Sequence, residues 1–263
     1  MKRLPLYQID AFADRPFTGN PAAVMPLQAW LPDAVMQAIA AENNLSETAF
    51  FVPEGDGYRI RWFMPLGEID LCGHATLASA FVVLTELQPG KDRVDFQSMS
   101  GPLAVTREED RFCLDFPMRP PNPVHCPEGL AEALGAEVLE TWRTRELFAL
   151  LADEEAVRRL MPDQEAVGRL SPAGIVVTAR GTDCDFVSRC FSPLEGIPED
   201  PVTGSTHCVL VPYWAGRLGR TSLHARQLSK RGGELLCELR GDRVKIAGKA
   251  VKVIEGALFL DPA

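Results

Sequence analysis

Two stretches of this chain gather the side chains best suited to moving a proton. The first reads Phe63-Met64-Pro65-Leu66-Gly67-Glu68-Ile69-Asp70-Leu71-Cys72-Gly73-His74-Ala75-Thr76. The second reads Phe191-Ser192-Pro193-Leu194-Glu195-Gly196-Ile197-Pro198-Glu199-Asp200-Pro201-Val202-Thr203-Gly204-Ser205-Thr206-His207-Cys208. Counted from Phe63 and Phe191, Cys72 and Asp200 stand at the same offset, close to the glycines that follow. A cleft flanked by two such groups could remove a proton on one side and return it on the other. Glu47 is a third candidate, an acid inside the small and apolar run Leu45-Ser46-Glu47-Thr48-Ala49-Phe50-Phe51-Val52. Burial raises a carboxyl pKa towards that of a working base, whereas a helix N-terminus lowers it. Glu47 therefore suits a proton shuttle, and Asp200 a charged hydrogen-bond acceptor or positioning group.

Each of these residues has a plainer alternative. Glu47 could be an edge carboxylate facing water, Asp200 a simple helix cap, and His74 a partner for its own loop. A free cysteine such as Cys72 is most often a small buried apolar residue. His207 and Cys208 read as helix packing, and Arg231-Gly232-Gly233 as a hairpin turn. His125 and Cys126 fall in a proline-rich stretch without zinc-site spacing.

The elements that would position these groups are written nearly twice. Both stretches open Phe-x-Pro-Leu-x-x-Ile, cross a loop and reach Gly followed by small and apolar residues. Each reads as a strand, a loop and a helix start, whose unpaired N–H groups suit a carboxylate or phosphate. Two matching helix starts imply one anion-holding cleft between two lobes. The helix after Gly73 is expected to run to about Leu87, apolar nearly all round and so enclosed by sheet. Its counterpart is expected from Gly204 to about Ala215, with Pro212 bending it or ending it early. A second echo joins Gln97-Ser98-Met99-Ser100-Gly101 to Gln227-Leu228-Ser229-Lys230-Arg231-Gly232-Gly233, each followed by a hairpin. Two echoes in the same order argue against chance similarity. Prolines 117, 120, 121, 123 and 127 interrupt any helix or central strand there. The expected organisation is an N-terminal lobe over 1–117, a connector over 118–126 and a C-terminal lobe over 127–263, with the last strand free to cross back. The fold class is α+β, two strand-rich lobes with pseudo-twofold symmetry, each wrapped round one central apolar helix.

Composition narrows the partners. The 263 residues carry a net charge of -9 without a basic block, so nucleic acid is not an expected partner. Seven cysteines, with no C-x-x-C pair, read as reduced thiols in a cytoplasm. Asp10, Asp14 and Arg15 precede any apolar leader, and the most apolar run, 75–84, is too short to span a bilayer; neither export nor a membrane span is expected. No P-loop and no G-x-G-x-x-G after a strand is present, so no metal, nucleotide or flavin cofactor is expected.

Four motifs together resemble one family. Phe17-Thr18-Gly19-Asn20-Pro21-Ala22-Ala23-Val24, Ser46-Glu47-Thr48-Ala49-Phe50, Leu71-Cys72-Gly73-His74-Ala75-Thr76-Leu77-Ala78 and Asp200-Pro201-Val202-Thr203-Gly204-Ser205-Thr206-His207 look like the phenazine-biosynthesis PhzF-like family, in family order and over almost the full chain. The resemblance implies a diaminopimelate-epimerase-like fold of two barrel-like lobes, usually a homodimer, and cofactor-free isomerisation of a small carboxylate. The phenazine enzyme it resembles isomerises trans-2,3-dihydro-3-hydroxyanthranilate. By motif, Glu47 matches the proton-shuttling acid, and His74 and Asp200 match groups that hold substrate and assist the transfer. Gly73, Gly204 and Ser205 match the helix starts around the substrate carboxylate. Two other readings stay open: an amino-acid epimerase or racemase using Cys72 with a carboxylate partner, and a non-catalytic small-molecule binder.

Overall fold

Alternating apolar residues and turn-forming Gly, Asn and Pro cut the first half into short strands. In the computed structural model, which describes residues 1–260, these are β1 (Lys2–Ala11), β2 (Asn20–Pro26), β3 (Glu47–Glu54), β4 (Gly57–Met64), β5 (Gly67–Ile69), β6 (Arg93–Ser98), β7 (Gly101–Glu108) and β8 (Arg111–Pro117). Two helices interrupt them, α1 (Asp33–Asn43) and α2 (Gly73–Val82). The chain continues through β9 (Asn122–Pro123), α3 (Leu130–Leu134), β10 (Glu140–Arg143), β11 (Leu147–Leu150), α4 (Glu154–Arg159), α5 (Gln164–Leu170), β12 (Ile175–Arg180) and β13 (Phe186–Ser192). It ends with β14 (Ile197–Asp200), α6 (Gly204–Leu218), β15 (Ser222–Gln227), β16 (Gly233–Arg240), β17 (Arg243–Gly248) and β18 (Ala250–Leu260).

Two compact units result. One holds residues 1–115 and the described residues from 247 onward, the other residues 116–246. Residues 118–126, expected as a separate connector, lie in the second unit, where Pro123 and Asn122 pair with Trp142 and Arg143. Proline's missing N–H limits that pairing to two residues. Of the lobe expected over 127–263, residues 261–263 lie outside the described residues, and β18 pairs antiparallel with β1 in the first unit, from Lys2 opposite Leu260 to Ala11 opposite Ala250.

In the first unit β2 runs parallel to β3, β3 antiparallel to β4, and β4 antiparallel to β5 and parallel to β6. Helix α1 buries Met36, Ile39 and Ala40 against Met25, Phe50 and Phe63, and closes on Asn44, whose φ of 48° lies in the left-handed region. Helix α2 is buried on every side from Gly73 to Ala80, as its apolar sequence requires. Its α-helical part ends at Val82, five residues short of the expected Leu87. The remainder, Val83–Leu87, is a π-helical turn closed by Gln88 N–H donating to the Val83 carbonyl at 2.7 Å. Thr85 Oγ1 donates to the Phe81 carbonyl at 2.7 Å, so a hydroxyl competes for the helix ladder at this point.

The second unit repeats the pairing order. Strand β11 is parallel to β12, β12 antiparallel to β13, and β13 antiparallel to β14 and parallel to β15. Helix α6 continues past Pro212 to Leu218, beyond the expected end near Ala215. Pro212 cannot donate to the Cys208 carbonyl one turn back, but Arg119 N–H does so at 2.9 Å, removing that part of proline's cost. Trp214 Nε1 donates to Thr178 Oγ1 at 3.0 Å and ties the helix to β12.

Strand register corrects the offset counting. Trp62 and Cys190 each precede the aligned phenylalanine; Trp62 pairs with Ile69, and Cys190 with Asp200. Asp200 therefore occupies the place of Ile69, three residues further from its phenylalanine. Two of the additional residues lie in the loop Pro193–Gly196, a 3-10 turn closed by Gly196 at φ 80°, where the first stretch has only Pro65-Leu66; the third comes from the register shift between Cys190 and Ser192. The residues that open the two helices are Cys72 and Thr203, so the counterpart of Cys72 is Thr203 and not Asp200.

Candidate active site

Glu47 opens β3, a strand held between β2 and β4, and pairs with Ala22. It is not an edge carboxylate facing water: it is only 7% exposed. The second residue of α2 is His74, also buried. Its Nε2 lies 3.1 Å from Glu47 Oε2. The approach is off the hydrogen-bonding direction, and neither atom has another hydrogen-bond partner among the described residues. On the far side of the ring, Nδ1 lies 3.1 Å from Asn20 Nδ2 and 3.5 Å from Cys72 Sγ. The imidazole thus stands between an acid on one nitrogen and an amide and a thiol on the other.

Electrostatics distinguish these groups. Burial by itself pulls the His74 pKa down; the negative charge that Cys72 and Glu47 can place beside the ring overrides it and lifts the pKa well above the usual imidazole value. Burial first, and Glu47 second, push the Cys72 thiol up to about 11. Cys72 is then a neutral thiol at physiological pH, which leaves Glu47 as the acid that faces the His74 ring. A buried ion pair is costly unless well satisfied, so this contact is a poor choice for stability and a good one for exchanging a proton. Ligand atoms of Glu47, Cys72 and His74 lie within 4.8 Å of one another. Glu47 faces one ring nitrogen and Cys72 the other.

The second unit holds the other expected residues. Asp200 ends β14, half-buried, and Gly204 and Ser205 open α6. Neither Cys72 nor Thr203 gives its helix a side-chain cap hydrogen bond. The first-turn N–H groups of both helices are thereby left to other acceptors. His207 and Cys208 are buried within α6, and His207 Nδ1–H donates to the Thr203 carbonyl at 2.8 Å. Thr76 Oγ1 does the same for the Cys72 carbonyl at 2.5 Å. Sequence reasoning missed three polar residues, Asn20, Thr203 and Gln227. Asn20 was hidden in a Gly-Asn-Pro turn signal, and Gln227 in a strand end whose glutamine reads as surface.

Residues 9–256 match the phenazine biosynthesis-like protein family, PhzC-PhzF. The chain belongs to the phenazine biosynthesis-like family. An uncharacterised isomerase of Pseudomonas aeruginosa is 53% identical over 259 residues, covering 98% of this chain and 99% of the relative. The crystal structure of a PhzF-family protein from Enterococcus faecalis is 50% identical with a TM-score of 0.96, covering 98% of this chain and all of that one. A hydroxyproline epimerase of Agrobacterium vitis, 11% identical with a TM-score of 0.67, shares the fold over 99% of this chain and 93% of that one. This member of the phenazine biosynthesis-like family is therefore an isomerase built on an epimerase-like α+β fold.

Proposed function

We propose that this family member is a cofactor-independent isomerase that shifts a proton on a small cyclic carboxylate. The observation that carries this reading is the buried Glu47–His74 contact, a carboxylate 3.1 Å from an imidazole at the start of an enclosed helix. Glu47 takes a proton from an acidic substrate carbon, the electron pair left behind delocalises into the adjoining π-system, and Glu47 returns the proton to a second carbon. His74 orients Glu47 and polarises the substrate as charge develops. Asp200 serves as a fixed acceptor for a substrate donor. The helix starts at Gly73, Gly204 and Ser205 bind the carboxylate through backbone N–H groups. A ring carboxylate resembling dihydrohydroxyanthranilate is the substrate class this chemistry fits, and a cytoplasmic homodimer is the form proposed from the family likeness.

The test is proton exchange followed by NMR in deuterated buffer, with dihydrohydroxyanthranilate and a panel of small cyclic and amino-acid carboxylates. Deuterium should enter one compound with the wild type, and Glu47→Gln should slow that entry by about 100-fold or more. Equal exchange by wild type and Glu47→Gln would remove Glu47 from the chemistry. Binding of a compound with no exchange at all would favour a binding protein.

A further inference from the structure

The Gly204 helix start is approached by a buried amide that no part of the proton chemistry uses. Gln227 closes β15 and is 1% exposed. Its Oε1 accepts the Thr203 backbone N–H at 2.9 Å, and its Nε2 donates to the Asp200 backbone carbonyl at 2.7 Å. Those two backbone groups have fixed donor and acceptor senses, so they settle which way the amide is turned. The same Nε2 donates to Thr203 Oγ1 at 3.1 Å. Thr203 Oγ1 is also 2.5 Å from Asp200 Oδ2.

A threonine hydroxyl has one proton to give. With Gln227 donating to its oxygen, that proton must turn to an acceptor. Cys190 also lies against Thr203; burial drives the thiol pKa upward, so it stays neutral and is a weak partner in either sense. The Asp200 carboxylate is the strong acceptor in reach. We propose that Gln227 is a positioning residue that, by donating to the Thr203 hydroxyl, commits that hydroxyl's proton to Asp200 and so fixes Asp200 as an oriented carboxylate acceptor. The surrounding loop is held by the same turn: Ser229 Oγ donates to the Pro201 carbonyl at 2.8 Å and accepts Gly232 N–H at 3.1 Å.

The first unit has no such device at the matching place. Cys72 stands where Thr203 stands, and Ile69 where Asp200 stands. The repeated scaffold thus sets an acid beside a histidine in one unit, and an acid beside an amide-held hydroxyl in the other. The catalytic consequence of the clamp rests on the reading that Asp200 holds substrate; the hydrogen-bond logic does not.

The experiment follows the side-chain carboxyl carbon of Asp200 by NMR through an acid titration in the full chain, for wild type, Gln227→Met, Thr203→Val and Thr203→Ser. A hydrogen bond donated to the charged form favours that form, so Gln227→Met and Thr203→Val should each move the titration upward by about one pH unit, a tenfold weaker acid. Thr203→Ser, which keeps the hydroxyl, should titrate as wild type. Where substrate exchange is measurable, Gln227→Met should raise KM more than it lowers kcat. An upward move in Thr203→Val with none in a folded Gln227→Met would reduce Gln227 to a structural part and overturn the proposal. Should Gln227→Met fail to fold, Thr203→Val decides: an unchanged Asp200 titration overturns the proposal. Absence of proton exchange in the wild type with every compound tried would count against the isomerase chemistry while the titrations still judge the clamp.

Discussion

A thiol 3.5 Å from a histidine usually invites a nucleophile or a second base, and Cys72 makes that contact. Its surroundings argue the other way. Burial and the Glu47 charge push the thiol up to about 11, so at pH 7 about one molecule in ten thousand is thiolate. Its counterpart opening α6 is Thr203, which cannot complete a thiol pair. Cys72→Ser should therefore keep proton exchange within about threefold of wild type, and iodoacetamide at pH 7 should leave activity intact. Alkylation that abolishes exchange and is prevented by substrate would instead favour the epimerase chemistry. At this scale the sequence revealed acids by their company: Glu47 is conspicuous among apolar neighbours. It concealed Asn20 and Gln227, because nothing local distinguishes a neutral amide in a buried network from one at the surface.

The two enclosed helices are the elements on which the site depends. Leu77 is fully buried on α2, and its truncation removes buried apolar atoms and leaves a cavity. Leu77→Ala should cost about 2–5 kcal/mol in urea unfolding. In α6 a contrary expectation applies. A proline inside a helix ordinarily costs ~3 kcal/mol relative to alanine, yet the Cys208 carbonyl already has Arg119 N–H as its donor. Pro212→Ala should then stabilise by less than about 1 kcal/mol; a gain near the full amount would show that the Arg119 bond does not compensate. The helices and hairpins themselves were legible, since 3.6- and two-residue periodicities report burial directly. Their detailed equivalence was not. Offset counting paired Cys72 with Asp200 because it could not see the longer loop at Pro193–Gly196 or the register shift between Cys190 and Ser192. The second echo slips by one as well: Arg59 pairs with Gln97 while Val187 pairs with Arg226, so Ser98 and not Gln97 matches Gln227. Hydrogen-bond register is set by partners distant in sequence, which local patterns do not record.

Across the whole molecule, two buried histidines set opposing limits on the pH range of stability. His207 is buried against Phe186 and Thr203, and burial pushes its pKa down to about 4. The unfolded chain takes up that proton below about pH 6.5, the folded chain only below about 4, so stability falls as pH drops through this window. His74 has the opposite sign. Its pKa lies well above the usual value, so the folded state holds the proton more tightly and stability falls as pH rises from about 6.5 towards the raised pKa. On the acid side the prediction is specific. Urea unfolding of the wild type at pH 4.5 should show about 2–3 kcal/mol lost to His207 relative to pH 7. His207→Asn, which can still donate towards the Thr203 carbonyl but takes no proton, should lower stability at pH 7 yet lose that much less on acidification. Parallel pH curves for wild type and His207→Asn would mean that His207 is not the group the acid attacks.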